Sequence, residues 1–288
     1  MRLKKWMIAT ILAFCMIPAV ALADAAPGDV IVTLGQDLSE EQKQQLLEEM
    51  DVPKDVQAIT VTNEEEHQYL GDYISKAQIG TRAISSTKIT IAEEGAGLNV
   101  KTNNINWITE EMYANALTTA GVRDADVYVT APFEVSGTAG LTGILKAYEV
   151  TTDIEIPEEK KQVANEEMVK TVKLGDRVGA DKATELMTKI KSELADNPVE
   201  TEADLRALIK RVAEEVGITL TEEELNGLVS LFNKMKDLNI DWDQVQSDLQ
   251  NVRNNLSEFL NKEETQGFIQ SILDFFIAII EAIKNLFK

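Results

Sequence analysis

The stretch best suited to ligand chemistry is Ser136-Gly-Thr-Ala-Gly, at the predicted start of a helix. Free backbone N–H groups at a helix N-terminus attract anions, and glycine lets a phosphate or carboxylate approach closely. We therefore take Ser136, Gly137, Thr138 and Gly140 as candidate ligand-binding residues. The simpler interpretation is that these small residues let the helix pack tightly on a sheet. No Gly-Lys-Ser/Thr ending follows, which excludes the nucleotide P-loop.

A second group of candidates precedes and enters a predicted strand. Arg82, in a segment with few cations, could clamp a carboxylate in a fork geometry or pair with a local acid. Ser85-Ser-Thr-Lys88 matches the Ser-x-x-Lys pattern of penicillin-binding enzymes, in which the serine opens a helix. Here Lys88 enters a strand, where that spacing does not bring the two side chains together. An extracytoplasmic hydrolase using acidic residues or Ser85 and Lys88 is the alternative function.

Metal chemistry has little support in the sequence. His67 is the only histidine, so one chain cannot form an ordinary zinc cluster or a Ser-His-Asp triad. Oxygen donors at calcium-loop spacing occur at Asp237, Asn239, Asp241, Asp243 and Asp248. Trp242 occupies the position where such a loop needs glycine, and Asp248 replaces the bidentate glutamate. We expect no cofactor and no catalytic residue, and keep these five as weak calcium candidates.

Residues 1–23 predict export. A basic start is followed by an apolar run over residues 7–20 and by the small-x-small site Ala21-Leu22-Ala23. The run is shorter than the roughly 20 residues of a membrane span. Cleavage after Ala23 removes Cys15, the only cysteine, and so excludes disulfides and thiol catalysis. It also moves the formal charge from −21 to −24, which disfavours nucleic acid as a partner.

The elements that position the candidates fall into a mixed part and a helical part. Residues 24–152 alternate strands and helices and predict an α+β or α/β domain, with a duplicated strand-helix-strand-helix unit as one explanation. Residues 153–265 have helical periodicity and predict an all-α domain. Its clearest core-facing stripe contains Leu225, Leu228, Val229 and Phe232.

Several local features of the mixed part can be predicted in detail. Residues 88–91 and 98–101 predict a hairpin, because glycines separate two short alternating runs. Asn63 predicts the start of a helix that runs to Ile74, and Thr109 caps a helix that Gly121 ends. The strand that begins at Ala125 is expected to stop at Ala131-Pro132. Ser136 is the predicted cap of the next helix.

Residues 266–288 predict an apolar C-terminal helix. Gln270, Asp274, Glu281, Lys284 and Asn285 form one narrow polar stripe, and the rest of the surface is apolar. Three interpretations stay open: a central helix of the bundle, self-association through residues 268–287, or peripheral membrane contact.

Four strings carry a resemblance to a known family. They are Asp29-Val-Ile-Val-Thr-Leu-Gly, Gln78-Ile-Gly-Thr-Arg-Ala-Ile-Ser-Ser, Val129-Thr-Ala-Pro-Phe-Glu-Val-Ser-Gly and Leu231-Phe-Asn-Lys-Met-Lys. With them the chain resembles the YpuA-like family of exported proteins of unknown function from Gram-positive bacteria, over nearly the whole mature length. The resemblance implies export and a shared fold, and brings no activity or cofactor with it.

These features together predict a non-catalytic exported protein of the cell envelope that acts by binding or assembly. Its expected partner is an envelope component or another protein, and nucleic acid is excluded. The acidic charge is also what keeps an exported protein soluble.

Overall fold

A computed structural model describes residues 26–53 and 56–238, together with residues 240, 242, 244, 245 and 247. The predicted leader, the calcium candidates Asn239, Asp241, Asp243 and Asp248, and the predicted C-terminal helix lie outside the described residues. Among the helices of the described part, none has both the length and the apolar character needed to cross a membrane.

A five-stranded mixed sheet forms the centre of the first half. Its strands are β1 (Val30–Gly35), β2 (Gln57–Val61), β3 (Ser86–Ile91), β4 (Leu98–Ile105) and β5 (Ala125–Val135). They lie in the order β2-β1-β3-β5-β4. β1 pairs in parallel with β2 and β4 with β5, whereas β3 is antiparallel to both its neighbours, β1 and β5.

The predicted hairpin of β3 and β4 is wrong, because β5 lies between them. Val127 and Val129 of β5 are both buried, and β5 pairs with β3 on one side and β4 on the other. Local alternation identifies a strand but does not select its partner, which depends on how the apolar faces are buried. The glycine-containing turn after β3 therefore leads to a strand two places away.

The described part of the chain contains nine helices. They are α1 (Glu40–Glu49), α2 (Asn63–Leu70), α3 (Lys76–Ile79), α4 (Glu110–Ala120), α5 (Thr138–Thr152), α6 (Glu158–Val178), α7 (Ala180–Asp196), α8 (Glu202–Glu215) and α9 (Glu222–Asp237). The order strand-helix-strand-helix occurs twice, in β1-α1-β2-α2 and in β4-α4-β5-α5. A mixed sheet with helices followed by a helical segment agrees with the predicted class. The division into domains at residue 152 stays a prediction.

α2 begins at Asn63, as predicted, and Thr62 caps it: the Thr62 Oγ1 accepts the Glu65 N–H, and the Glu65 carboxylate accepts the Thr62 N–H. The next prediction of a cap is wrong by one residue. Gly137, not Ser136, caps α5, because the turn requires a φ of +92°, where a side chain is unfavourable. α2 also ends at Leu70 and not at the predicted Ile74.

β5 continues through Pro132, so the prediction that the strand stops there is wrong. The register between β4 and β5 shifts between Asn103 and Ile105. The intervening Asn104 has a φ of +57° and donates a side-chain hydrogen bond to the Ala131 carbonyl at 2.7 Å. This irregularity places the proline where the ladder is already interrupted, so its missing N–H costs little.

Helices cover both faces of the sheet. On one face, α1 packs over an apolar cluster that contains Val32, Leu46 and Ile84. On the other face, α2, α4, α5 and α6 bury a larger cluster with the remaining strand residues. A third cluster joins α7, α8 and α9, and α6 contributes to it through Val163 and Leu174. α6 therefore belongs to both the sheet core and the helical core.

Gly35, at the end of β1, provides a first test of this packing. An added Cβ would collide with the backbone of Ala83 and Ile84, which cannot move aside as a flexible side chain can. We expect Gly35→Ala to lower the free energy of unfolding by about 1–3 kcal/mol, measured by urea denaturation. Gly227→Ala is the control, since its Cβ would meet only the end of the Lys170 side chain. Equal stability of Gly35→Ala and the wild type would contradict the packing.

Candidate functional site

A cleft of about 340 Å³ opens at the N-terminal end of α5. Its lining comes from α2, from the end of α3 and the segment that links it to β3, from the end of β5 and from residues 136–139. The structure thus brings Arg82 together with Ser136, Gly137 and Thr138. The volume lies at the lower end of the range for small-molecule sites.

Glu66 is a cleft residue that the sequence analysis missed. It is 1% exposed, and its Oε2 accepts a hydrogen bond from Thr138 Oγ1 at 3.1 Å. Its Oε1 has no hydrogen-bond partner among the described residues. Burial raises the pKa of Glu66 to about 8, opposed by the Thr138 hydroxyl and assisted by the negative charge of Asp37. At neutral pH the carboxyl is therefore mostly protonated and can donate a hydrogen bond through Oε1.

A signal for Glu66 was present in the sequence. Glu66 precedes Leu70 by four residues, a spacing that places both on one face of α2, and Leu70 is fully buried. Acidic residues are favourable in the first turn of any helix, and this effect accounts for Glu64, Glu65 and Glu66 alike. The acidic run therefore does not indicate that Glu66 is the buried one.

The N-terminus of α5 forms one wall of the cleft. No side chain caps it, and the N–H of Gly140 donates to the Gly137 carbonyl at 2.9 Å, which leaves the N–H groups of Thr138 and Ala139 without an acceptor among the described residues. Tyr113 of α4 contacts Gly137, since its hydroxyl donates to the Gly137 carbonyl at 2.5 Å. A Cβ at Gly137 would strike Tyr113 Oη and Ile105 Cγ2. The glycine therefore permits both the turn and the close approach of α4.

Gly140 is not among the residues that line the cleft. A Cβ there would lie 2.6 Å from Tyr113 Oη and 2.9 Å from Val129 Cγ1. Gly143, one turn later, faces Thr33 in the same way. At these two positions the small residues serve the packing of α5 on the sheet, as the simpler interpretation predicted. The part of Ser136-Gly-Thr-Ala-Gly that lines the cleft ends at Ala139.

Arg82 and Ser85 also line the cleft. Arg82 is exposed, and its guanidinium has no ion pair or hydrogen bond with another residue of the described chain. Ser85 is 3% exposed and lines the wall. Lys88 is directed elsewhere, since its Nζ donates to the carbonyl of Met50 at the end of α1 at 2.5 Å. Ser85 and Lys88 therefore do not form the serine-lysine pair of the alternative function.

The structure does not place His67 or Asp237 in a metal site. His67 is half-buried, with Nε2 3.1 Å from the carbonyl oxygen of Gly80. Asp237 is the last residue of α9. Within the described residues there is no group of three or more His, Cys, Asp or Glu side chains placed to hold a metal ion.

A second cavity, of about 280 Å³, lies between α6, α9 and the turn after α2. Two lysines line it, but both are engaged: Lys170 Nζ lies 3.4 Å from Glu166, and Lys173 Nζ donates to the Tyr73 carbonyl at 2.5 Å. The cleft at α5 has the unpaired donors that this cavity lacks, so we take the cleft as the candidate site.

Comparison with known proteins extends the resemblance seen in the sequence strings. Residues 34–252 match a family described as protein of unknown function, DUF1002. The chain is also 56% identical over 288 residues to a Bacillus subtilis (strain 168) protein named "Uncharacterized protein YpuA", which covers 99% of each chain. No solved structure matches. The similarity establishes a family and carries no activity.

Proposed function

This chain belongs to the DUF1002 family of proteins of unknown function, and on that premise we propose that it is a non-catalytic binding protein of the cell envelope. Its ligand occupies the cleft at the N-terminus of α5. The observation that carries the proposal is the buried Glu66 carboxyl, whose Oε1 has no partner within the described residues. A buried polar atom without a hydrogen bond costs about 1–3 kcal/mol. Of the six such atoms among the described residues, the one in Glu66 is the one whose residue lines the cleft.

The arrangement of the cleft favours binding over catalysis. Glu66 is the one carboxyl group among the described residues that line it. Hydrolysis by acidic residues needs two groups whose environments separate their pKa values, and nucleophilic catalysis needs a base beside the nucleophile. Ser85 has no such base, because Lys88 is held at the end of α1.

Export to the envelope is part of the proposal. It is supported by the basic start, the apolar run over residues 7–20 and the small-x-small site that ends at Ala23. A ligand that the chain meets after export would come from the wall, the membrane surface or the medium.

Co-sedimentation tests the proposal. We expect the purified protein to pellet with cell-wall sacculi, and Arg82→Glu to weaken this binding about tenfold, as losing one charged hydrogen bond would. Arg123→Glu makes the same charge change at another exposed arginine and should bind like the wild type. Equal pelleting of the Arg82 variant and the wild type would show that the cleft is not the binding site. Pelleting with liposomes alone would contradict a wall ligand.

A further inference from the structure

Several of the polar groups that line the cleft can donate hydrogen bonds. They include the first N–H groups of α5, the Arg82 guanidinium, and the hydroxyls of Ser85 and Ser136. Donors that line one cleft together with the partial positive charge of a helix N-terminus are a pattern that recognises an anion. The Glu66 carboxyl fits this pattern only in its protonated form, in which it is a donor as well.

The remaining lining is apolar. Ile79, Ile84 and Val135 contribute to the walls, and Phe133 stands at the rim with 42% of its surface exposed. An exposed phenylalanine at the mouth of a cleft can cover an apolar part of a ligand. The small volume limits that part to a few carbon atoms.

A carboxylate suits these groups better than a phosphate or a cation. Its two coplanar oxygens match the fork of an arginine and the N–H groups of a helix N-terminus. A doubly charged phosphate would have to be desolvated beside Glu66 and near Asp37, with Arg82 the one cationic side chain among the lining residues. A cation would be opposed by both Arg82 and the helix N-terminus.

We propose that the cleft binds a carboxylate carried by a small apolar group, and that it does so with the Glu66 carboxyl protonated, because an ionised Glu66 beside the cleft would repel the ligand. This inference rests on the proposed binding function and names the chemical class of its ligand. No bond is made or broken. At a pH at which Glu66 is ionised in the free protein, the protein takes up one proton when the ligand binds.

The environment of Glu66 sets the pH dependence of such binding. The groups that act on it are Asp37 after β1, Tyr113 of α4 and Thr138 of α5, and Arg82 is the one cationic side chain that lines the same cleft. With a pKa of about 8 in the free protein, Glu66 is protonated at pH 7 and ionised at pH 9. An anionic ligand prefers the protonated form, so its affinity falls as the pH rises through 8.

Isothermal titration calorimetry with butyrate measures this effect. We expect the affinity of the wild type for butyrate to fall about tenfold from pH 7 to pH 9, the proton-linked loss for a group with a pKa near 8. Glu66→Gln keeps a donor at every pH and is expected to abolish the loss. Glu64→Gln, an exposed acid on the same helix, should behave like the wild type. Butyramide, a neutral isostere, should bind at least about tenfold more weakly at pH 7.

Three outcomes would overturn the inference. They are equal binding of butyramide and butyrate, tighter binding of inorganic phosphate than of butyrate, and an undiminished pH effect in Glu66→Gln. Sacculus binding that depends on Arg82 without any butyrate binding would refute the carboxylate class and leave the binding function standing. If neither sacculi nor butyrate is bound, both the carboxylate class and the binding function are refuted.

Discussion

Lys191→Met is expected to destabilise the protein by about 3–5 kcal/mol. Lys191 is 0% exposed, and its Nζ lies 2.6 Å from Oε1 of Glu167, which is 1% exposed. The ammonium also donates to the Asn115 carbonyl at 2.8 Å and to Thr119 Oγ1 at 2.7 Å. Removing the lysine leaves a buried carboxylate without its counter-charge, and this unpaired charge causes the large loss.

Urea unfolding of a double-mutant cycle separates the pair from its surroundings. Glu167→Leu alone should also be severely destabilised, whereas Glu167→Leu/Lys191→Met should recover most of the loss, because no charge is then left buried. Lys189→Met is the matched control on α7, since Lys189 is 44% exposed and its Glu185 pair contributes less than about 1 kcal/mol. A Lys191→Met variant within about 1 kcal/mol of the wild type would contradict the buried pair.

The same pair explains how the sheet half and the helical half are joined. Burial raises the pKa of Glu167 and lowers the pKa of Lys191, while the charge of each partner opposes the shift. Glu167 lies on α6, Lys191 on α7, and the acceptors Asn115 and Thr119 on α4. A buried pair adds little net stability over apolar packing, so its effect is to make one relative placement of three helices much better than its alternatives.

The second large effect is a loss of stability with rising pH that depends on Glu66. Between pH 5 and pH 9 we expect the wild type to lose on the order of 3–5 kcal/mol more unfolding free energy than Glu66→Gln. The folded-state pKa of Glu66, about 8, lies above the 4.5 of an unperturbed glutamate. Its contribution is therefore complete below pH 4.5 and is lost as the pH rises through 8, because folding then requires a buried charge.

Urea unfolding at intervals from pH 5 to pH 9 measures this difference. The carboxylates of Glu49, Glu65 and Glu224 have lowered pKa values, so their contributions change below about pH 4.5 and do not affect this window. Glu64→Gln is the control, because the same change at an exposed position of α2 should leave the pH dependence intact. Parallel stability curves for Glu66→Gln and the wild type would mean that Glu66 ionises freely.

Features that depend on near neighbours were predictable from the sequence. Thr109 caps α4 by accepting the N–H of Met112, and Gly121 ends it with a φ of +89°, both as predicted. Leu225 and Phe232 of the apolar stripe on α9 are buried. Capping and helical periodicity involve residues within one or two turns of one another, so the local sequence contains the information that determines them.

Features that depend on strand pairing were not predictable in the same way. The turn after β3 reads as a hairpin, yet β5 occupies the place beside β3. Pro132 reads as a strand end, yet Asn104 of β4 provides the irregularity that accommodates it. In both cases the structure depends on a partner that lies far along the chain, so the local sequence does not contain the information that selects it.

The candidate site also combines features that the local sequence predicts with features that depend on distant residues. The sequence by itself predicted a leader, and it identified the glycine-rich entry to α5 and Arg82 as places where a ligand could bind. Only the tertiary structure decided that Gly140 faces the sheet, that Lys88 lies away from Ser85, and that Glu66 is buried where α2 packs on α5. A glutamate in an acidic first turn has the same local chemistry whether it is exposed or buried. Its pKa and hydrogen-bonding capacity depend on the residues that exclude water from it, and the fold alone brings those residues together.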